Sequence, residues 1–91
     1  MRLFKTVDEK FEELGFKKTY ESKSVIEYTK FIEKFNFTHC IEILYKADGR
    51  HIALSYQQGI NNDGFNNAVG LTYLESKLIY KKMKQMGWKS K

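Results

Sequence analysis

The sequence predicts an α+β domain: two helices packed on one face of an antiparallel meander of three strands, extendable to four, in the order α-β-β-β-α. Three observations carry this reading. Apolar residues recur at helical spacing near each end of the chain, and both runs stop at a glycine followed by an aromatic residue, Gly15 with Phe16 and Gly87 with Trp88. Between them the period falls to two, most clearly in "FTHCIEILYK" (37–46). Asp48 and Gly49 follow that run as a strong short hairpin signal. Ninety-one residues with 42% apolar content support one modest core and not two.

The first helix starts near Thr6. "TVDE" reads as a capping box in which Thr6 and Glu9 satisfy each other's backbone amides. Leu3, Val7, Phe11 and Leu14 share one face, and Gly15 supplies the left-handed stop. Residues 17–22, "KKTYES", form a short strand or a lead-in. A strand over 25–32 turns Ile26, Tyr28 and Ile32 inward, and "EKFN" (33–36) links it to the next strand. There Phe37, His39, Ile41, Ile43 and Tyr45 are the more apolar set and face the core. A two-residue turn at Asp48 and Gly49 pairs Lys46 with His51, Tyr45 with Ile52, Ile43 with Leu54 and Ile41 with Tyr56. That register carries Ile52, Leu54 and Tyr56 to the core face. It leaves Thr38, Cys40, Glu42, Leu44, Lys46, His51, Ala53, Ser55 and Gln57 on a mainly polar outer face, which suits solvent or weak self-association. The second helix spans about 67–86, with Asn66 or Asn67 as N-cap. Leu71, Leu74 and Leu78 form one edge of its apolar face, and Ile79, Met83 and Met86 the other. Trp88 folds over its end, and residues 88–91 form a mobile basic tail.

Charge is the most informative bulk property. The net +5 is not spread evenly. Residues 1–45 carry eight basic and eight acidic side chains, and residues 46–76 carry two and three. The last fifteen carry six lysines (Lys77, Lys81, Lys82, Lys84, Lys89 and Lys91) and no acid. Lys77, Lys81 and Lys84 fall at i, i+4, i+7 and form a stripe directed away from the core. Such a stripe suits the negative end of the helix dipole, but it lacks the i,i+4 acids of a purely solvated face. It fits phosphate groups of a nucleic acid, or an acidic protein with Trp88 as an aromatic anchor.

Nothing else points to chemistry. Cys40 and His39 are strand neighbours on opposite faces, and His51 lies about 20 Å along the strand from Cys40 in the expected register. No nucleophile meets a base at that distance. A lone cysteine and two histidines do not make a zinc site. The segment 61–64, "NNDG", lacks the alternating oxygen ligands and closing glutamate of a calcium loop. Glycines 59, 64 and 70 do not fit a phosphate-binding loop. The amide-rich stretch "SYQQGINNDGFNNAVG" (55–70) is a connector first, and second a contact loop using Gln57, Gln58, Asn61, Asn62 and Asp63. The expectation is therefore a protein without catalytic residues, metal or cofactor. The single cysteine fits a reducing compartment, and no apolar run suits a signal peptide or a membrane span. A cytosolic location follows.

The order α-β-β-β-α with a basic second helix resembles the double-stranded RNA-binding domain. That family's lysine-rich motif opens the second helix, whereas here "FNNAVGLTY" opens it and the lysines gather at its far end. In texture, "FEELGFKKTYES" and "LIYKKMKQMGW" are similar to small uncharacterised proteins of phages and prophages of Gram-positive bacteria. That likeness implies an accessory protein that binds a nucleic acid or a protein. The sequence thus favours a non-enzymatic binding domain using its C-terminal lysines. The alternative is a protein-binding or homo-oligomeric module using the outer sheet face and the 57–67 stretch.

Overall fold

The computed structural model describes residues 5–59 and 66–88, with backbone only at Asn66 and Asn67. It is the expected α+β meander, with the optional fourth strand formed by residues 17–21 at one edge and a short fifth strand added at the other. α1 (Val7–Glu13) is followed by β1 (Lys17–Glu21), β2 (Val25–Ile32), β3 (Phe37–Tyr45), β4 (His51–Gly59), β5 (Asn66–Ala68) and α2 (Tyr73–Gln85). The strands lie side by side in chain order and every pair is antiparallel.

α1 has only seven residues, too few to persist alone, so its caps and its burial hold it. The Thr6–Glu9 capping box forms in both directions. At the other end Gly15 adopts φ +96°, and the Phe16 amide donates to the Phe11 carbonyl at 3.0 Å. This turn drops Phe16 beside Phe11. The Phe11 ring stacks on Tyr28 at 4.0 Å and meets Phe16 edge-on at 6.1 Å. These rings join Ile26, Ile41, Ile43, Leu78 and Ile79 in one core. Both helices therefore cover the same sheet face.

The β3–β4 hairpin corrects the expected register. The Gly49 amide donates to the Lys46 carbonyl and the Lys46 amide to the Arg50 carbonyl, both at 2.9 Å. Gly49 sits at φ +90°, so the loop is a three-residue type I turn closed by a glycine bulge. One extra loop residue places Tyr45 opposite His51, Leu44 opposite Ile52 and Glu42 opposite Leu54. Because side chains alternate, this single step moves all of β4 to the other face. Ile52, Leu54 and Tyr56 point away from the helices, and His51, Ala53 and Ser55 point toward them.

The second helix also starts later than expected. Thr72 is its N-cap, in a second capping box with Glu75, and neither Asn66 nor Asn67 serves; both lie in β5. Gly87 ends it at φ +73° as expected. Trp88 is packed against Tyr45 and donates its indole N–H to the Lys23 carbonyl at 3.0 Å, so it belongs to the domain and not to a tail.

Candidate functional site

α2 sorts its lysines by angle around the helix axis. Lys82 shares the inward face with Glu75, Leu78 and Ile79, and its side chain is only 5% exposed. Its ammonium lies 3.3 Å from Asp8 and 3.3 Å from Glu21. Lys18 reaches the same two carboxylates at 2.9 and 2.8 Å, and Tyr28 donates its hydroxyl to Asp8 at 2.6 Å. Burial alone would push the Asp8 carboxyl up. The hydrogen bonds from Tyr28 and Lys18, with the Lys82 charge, outweigh it and hold Asp8 below its ordinary value. Glu21 is lowered mainly by its hydrogen bond from Lys18. Tyr28, buried and bonded to Asp8, stays protonated well above the ordinary tyrosine range. The sequence grouped Lys82 with the binding lysines; here it is a structural cation tying α2 to α1 and β1.

The outermost ridge of α2 has a different makeup. Tyr73, Lys77, Tyr80 and Lys84 fall at i, i+4, i+7 and i+11, so they line up along one side. Tyr73 is 75% and Tyr80 64% exposed. The Lys77 ammonium sits 5.7 Å from the Tyr73 ring centre, and that of Lys84 5.5 Å from the Tyr80 ring. Lys81 flanks the ridge on the α1 side, where Lys10 approaches it. The charge of Lys10, then desolvation, then the charge of Lys77 pull the Lys81 ammonium below its ordinary value. Lys10, Lys77 and Lys81 rim a cleft of about 180 Å³ floored by Leu14, Leu74 and Leu78, with Glu13 as its one acid.

On the other flank of the ridge a cavity of about 250 Å³ is lined by His51, Tyr80, Met83, Lys84 and Trp88. Trp88 stacks on Tyr45 with ring centres 5.3 Å apart, and His51 lies 5.9 Å from Trp88. The buried Nε2 of His51 has no hydrogen-bond partner among the described residues. The register corrected above brings His51 to this side.

The opposite sheet face is open and more apolar than expected. Val25, Leu44 and Ile52 form one cross-strand row; Tyr20, Glu27, Glu42 and Leu54 the next; Thr29, Cys40 and Tyr56 the third. Leu54 is 44% exposed and Phe31 52%. The carboxylates bond locally, Glu42 to the Tyr56 hydroxyl and Glu27 to that of Thr19.

The remaining candidates are placed as follows. Lys77, Lys81 and Lys84 are exposed, as expected, while Lys89 and Lys91 lie outside the described residues. Gln57 and Gln58 belong to β4, paired with Asn67 and Asn66, and not to a loop; Asn61, Asn62 and Asp63 lie outside the described residues. His39 is half-buried, 2.7 Å from the Ser55 hydroxyl and edge-on to Phe16. Burial lowers its imidazole and raises the Cys40 thiol, the reverse of an activated nucleophile. Among the described residues no group of three or more His, Cys, Asp or Glu gathers to hold a metal, and no helix is long and apolar enough to cross a membrane.

Sequence reading missed Tyr73, Tyr80 and Lys10. The two tyrosines were legible in "YLESKLIYKKMK", where each precedes a lysine by four. Lys10 becomes relevant only through the packing of α1 on α2. Comparison with protein-family models, curated proteins and solved structures gives no match.

Proposed function

We propose that this protein is a non-enzymatic, cytosolic nucleic-acid-binding domain whose contact surface is the solvent ridge of α2. The observation that carries the reading is the alternation Tyr73, Lys77, Tyr80, Lys84, with Lys81 alongside and no acid among these exposed positions. Lysines without acidic neighbours exchange bound counterions for phosphates, and exposed rings between them offer flat surfaces to bases. Lys77, Lys81 and Lys84 are the contact residues; Lys82 is excluded by its burial. Three phosphate contacts give a salt slope of about −2 on logarithmic axes, or roughly 20-fold weaker binding from 50 to 200 mM salt. Fluorescence anisotropy of labelled oligonucleotides at those two concentrations tests this. Binding that weakens by that factor and is abolished in the Lys77→Glu/Lys81→Glu/Lys84→Glu variant supports the reading. No binding at 50 mM salt refutes it.

A second reading rests on the outer sheet face. Val25, Leu44, Ile52 and Leu54 form an apolar surface around Glu27 and Glu42, which suits a protein partner carrying a cation amid apolar side chains. A photo-crosslinking residue placed at Leu54 would capture that partner, and one placed at Glu12 on the helix side would not.

A further inference from the structure

We infer that the nucleic acid bound along α2 is single-stranded, with one base seated in the cavity between α2 and the β3–β4 hairpin. The inference rests on the reading of α2 as a nucleic-acid surface and specifies its ligand. Tyr73 and Tyr80 are two helical turns apart, so their rings are separated by about 10 Å along the axis. Stacked bases in a duplex rise by about 3.4 Å and hide their faces from any side chain. Rings spaced as these are can be covered only by bases that have left the stack, which a single strand supplies freely.

The cavity extends the same track. Tyr80 and Lys84 belong both to the ridge and to the cavity wall. Beyond them lie the Trp88 indole, held by its bond to the Lys23 carbonyl and its stack on Tyr45, and the His51 ring. About 250 Å³ with the Tyr80, Trp88 and His51 rings in its wall has room for one planar heterocycle. The His51 ring lines the cavity, and its buried Nε2 has no partner among the described residues. The Lys84 ammonium, next to that wall, is placed for the phosphate attached to the seated base.

Trp88 is the only tryptophan, so its emission reports on the cavity without a label. The test titrates the whole protein at 50 mM salt with a twelve-nucleotide thymidine DNA strand, the matching uridine RNA strand and a twelve-base-pair duplex. Trp88 fluorescence and anisotropy of an end-labelled strand are both read. At least tenfold tighter binding of a single strand than of duplex, with quenching of Trp88, is expected. Tyr80→Ala should weaken single-strand binding by about 5- to 150-fold, whereas Tyr80→Phe, which keeps the ring, should not. Tyr80 is exposed, so both variants retain the fold, and their thermal unfolding checks this. Preference between DNA and RNA strands shows whether the 2′-hydroxyl is read; either strand satisfies the inference. Equal binding of duplex and strand, unaffected by Tyr80→Ala but lost with the lysines, would overturn the inference and leave the α2 surface standing. No binding of any of the three would overturn both.

Discussion

Replacing Lys82 with alanine separates a lysine that holds the fold from the lysines that meet a ligand. The Lys82 ammonium is shared by Asp8 and Glu21 and its side chain is 5% exposed. Removing one partner of a fully buried pair costs about 3–5 kcal/mol, because the other charge is left without compensation. Here the carboxylates are 31% and 39% exposed, and Lys18 and Tyr28 still bind them, so part of that penalty is relieved. Loss of about 2–3 kcal/mol is expected, which lowers Tm by roughly 8–24 °C for a domain of this size. Lys82→Met keeps the aliphatic stem against Leu78 and Ile79 and should lose only about 1–2 kcal/mol. Urea unfolding followed by circular dichroism measures both, with Lys81→Ala as a control within about 0.5 kcal/mol of the parent. The methionine variant should bind oligonucleotide with unchanged salt dependence. A Lys82→Ala variant as stable as Lys81→Ala, or a Lys82→Met variant with normal stability but weakened binding, would refute the assignment of Lys82 as a structural cation.

Three further outcomes follow from the same packing. Asp8 and Glu21 titrate below their ordinary values in the fold, so the unfolded chain takes up protons first as pH falls; their stabilisation is complete above about pH 5 and is lost below it as pH falls through the depressed values. The stability gap between the parent and Asp8→Asn should therefore close on acidification, and a gap that widens would contradict the network. Leu54→Lys, on the open face, should change stability by less than about 0.5 kcal/mol, whereas Ile43→Ala in the core should cost about 2–5 kcal/mol; a large loss for Leu54→Lys would restore the register read from the turn alone. Gly49→Ala forces a side chain into φ +90° and should cost at least about 1 kcal/mol by chemical denaturation; an unchanged stability would contradict the left-handed position at Gly49.

Most elements were legible because local chemistry fixes them. The Thr6–Glu9 box, the Gly15 and Gly87 stops and the two-residue period of β2 and β3 are signals confined to a few neighbouring residues, and each is realised. The β4 face was misread for a specific reason. Asp48 and Gly49 serve equally in a two-residue turn and in a three-residue turn with a glycine bulge, and the two differ by one step in register. The apolar alternation of Ile52, Leu54 and Tyr56 then favoured the wrong choice, because these residues line the open sheet face and not the core. The start of α2 was readable, because Thr72 and Glu75 repeat the spacing of Thr6 and Glu9, but the nearby asparagines were the more familiar caps. At the candidate site, the exposure of Lys77, Lys81 and Lys84 followed from helical spacing. The burial of Lys82 was half legible: it lies on the face of Leu78 and Ile79, but its anions, Asp8 and Glu21, come from distant parts of the chain. The cavity at His51 and Trp88 depended on the register and on α2 packing together, so no local pattern announced it.

The most direct test of the α2 ridge as the contact surface is a titration of isotope-labelled protein with the thymidine strand, followed by amide and side-chain NMR shifts. Shifts concentrated at Tyr73, Lys77, Tyr80, Lys81 and Lys84, with the Trp88 indole moving in step, are the predicted result. Shifts confined to Leu44, Ile52, Leu54 and Tyr56 on the open sheet face, or none at all at millimolar strand, would contradict it.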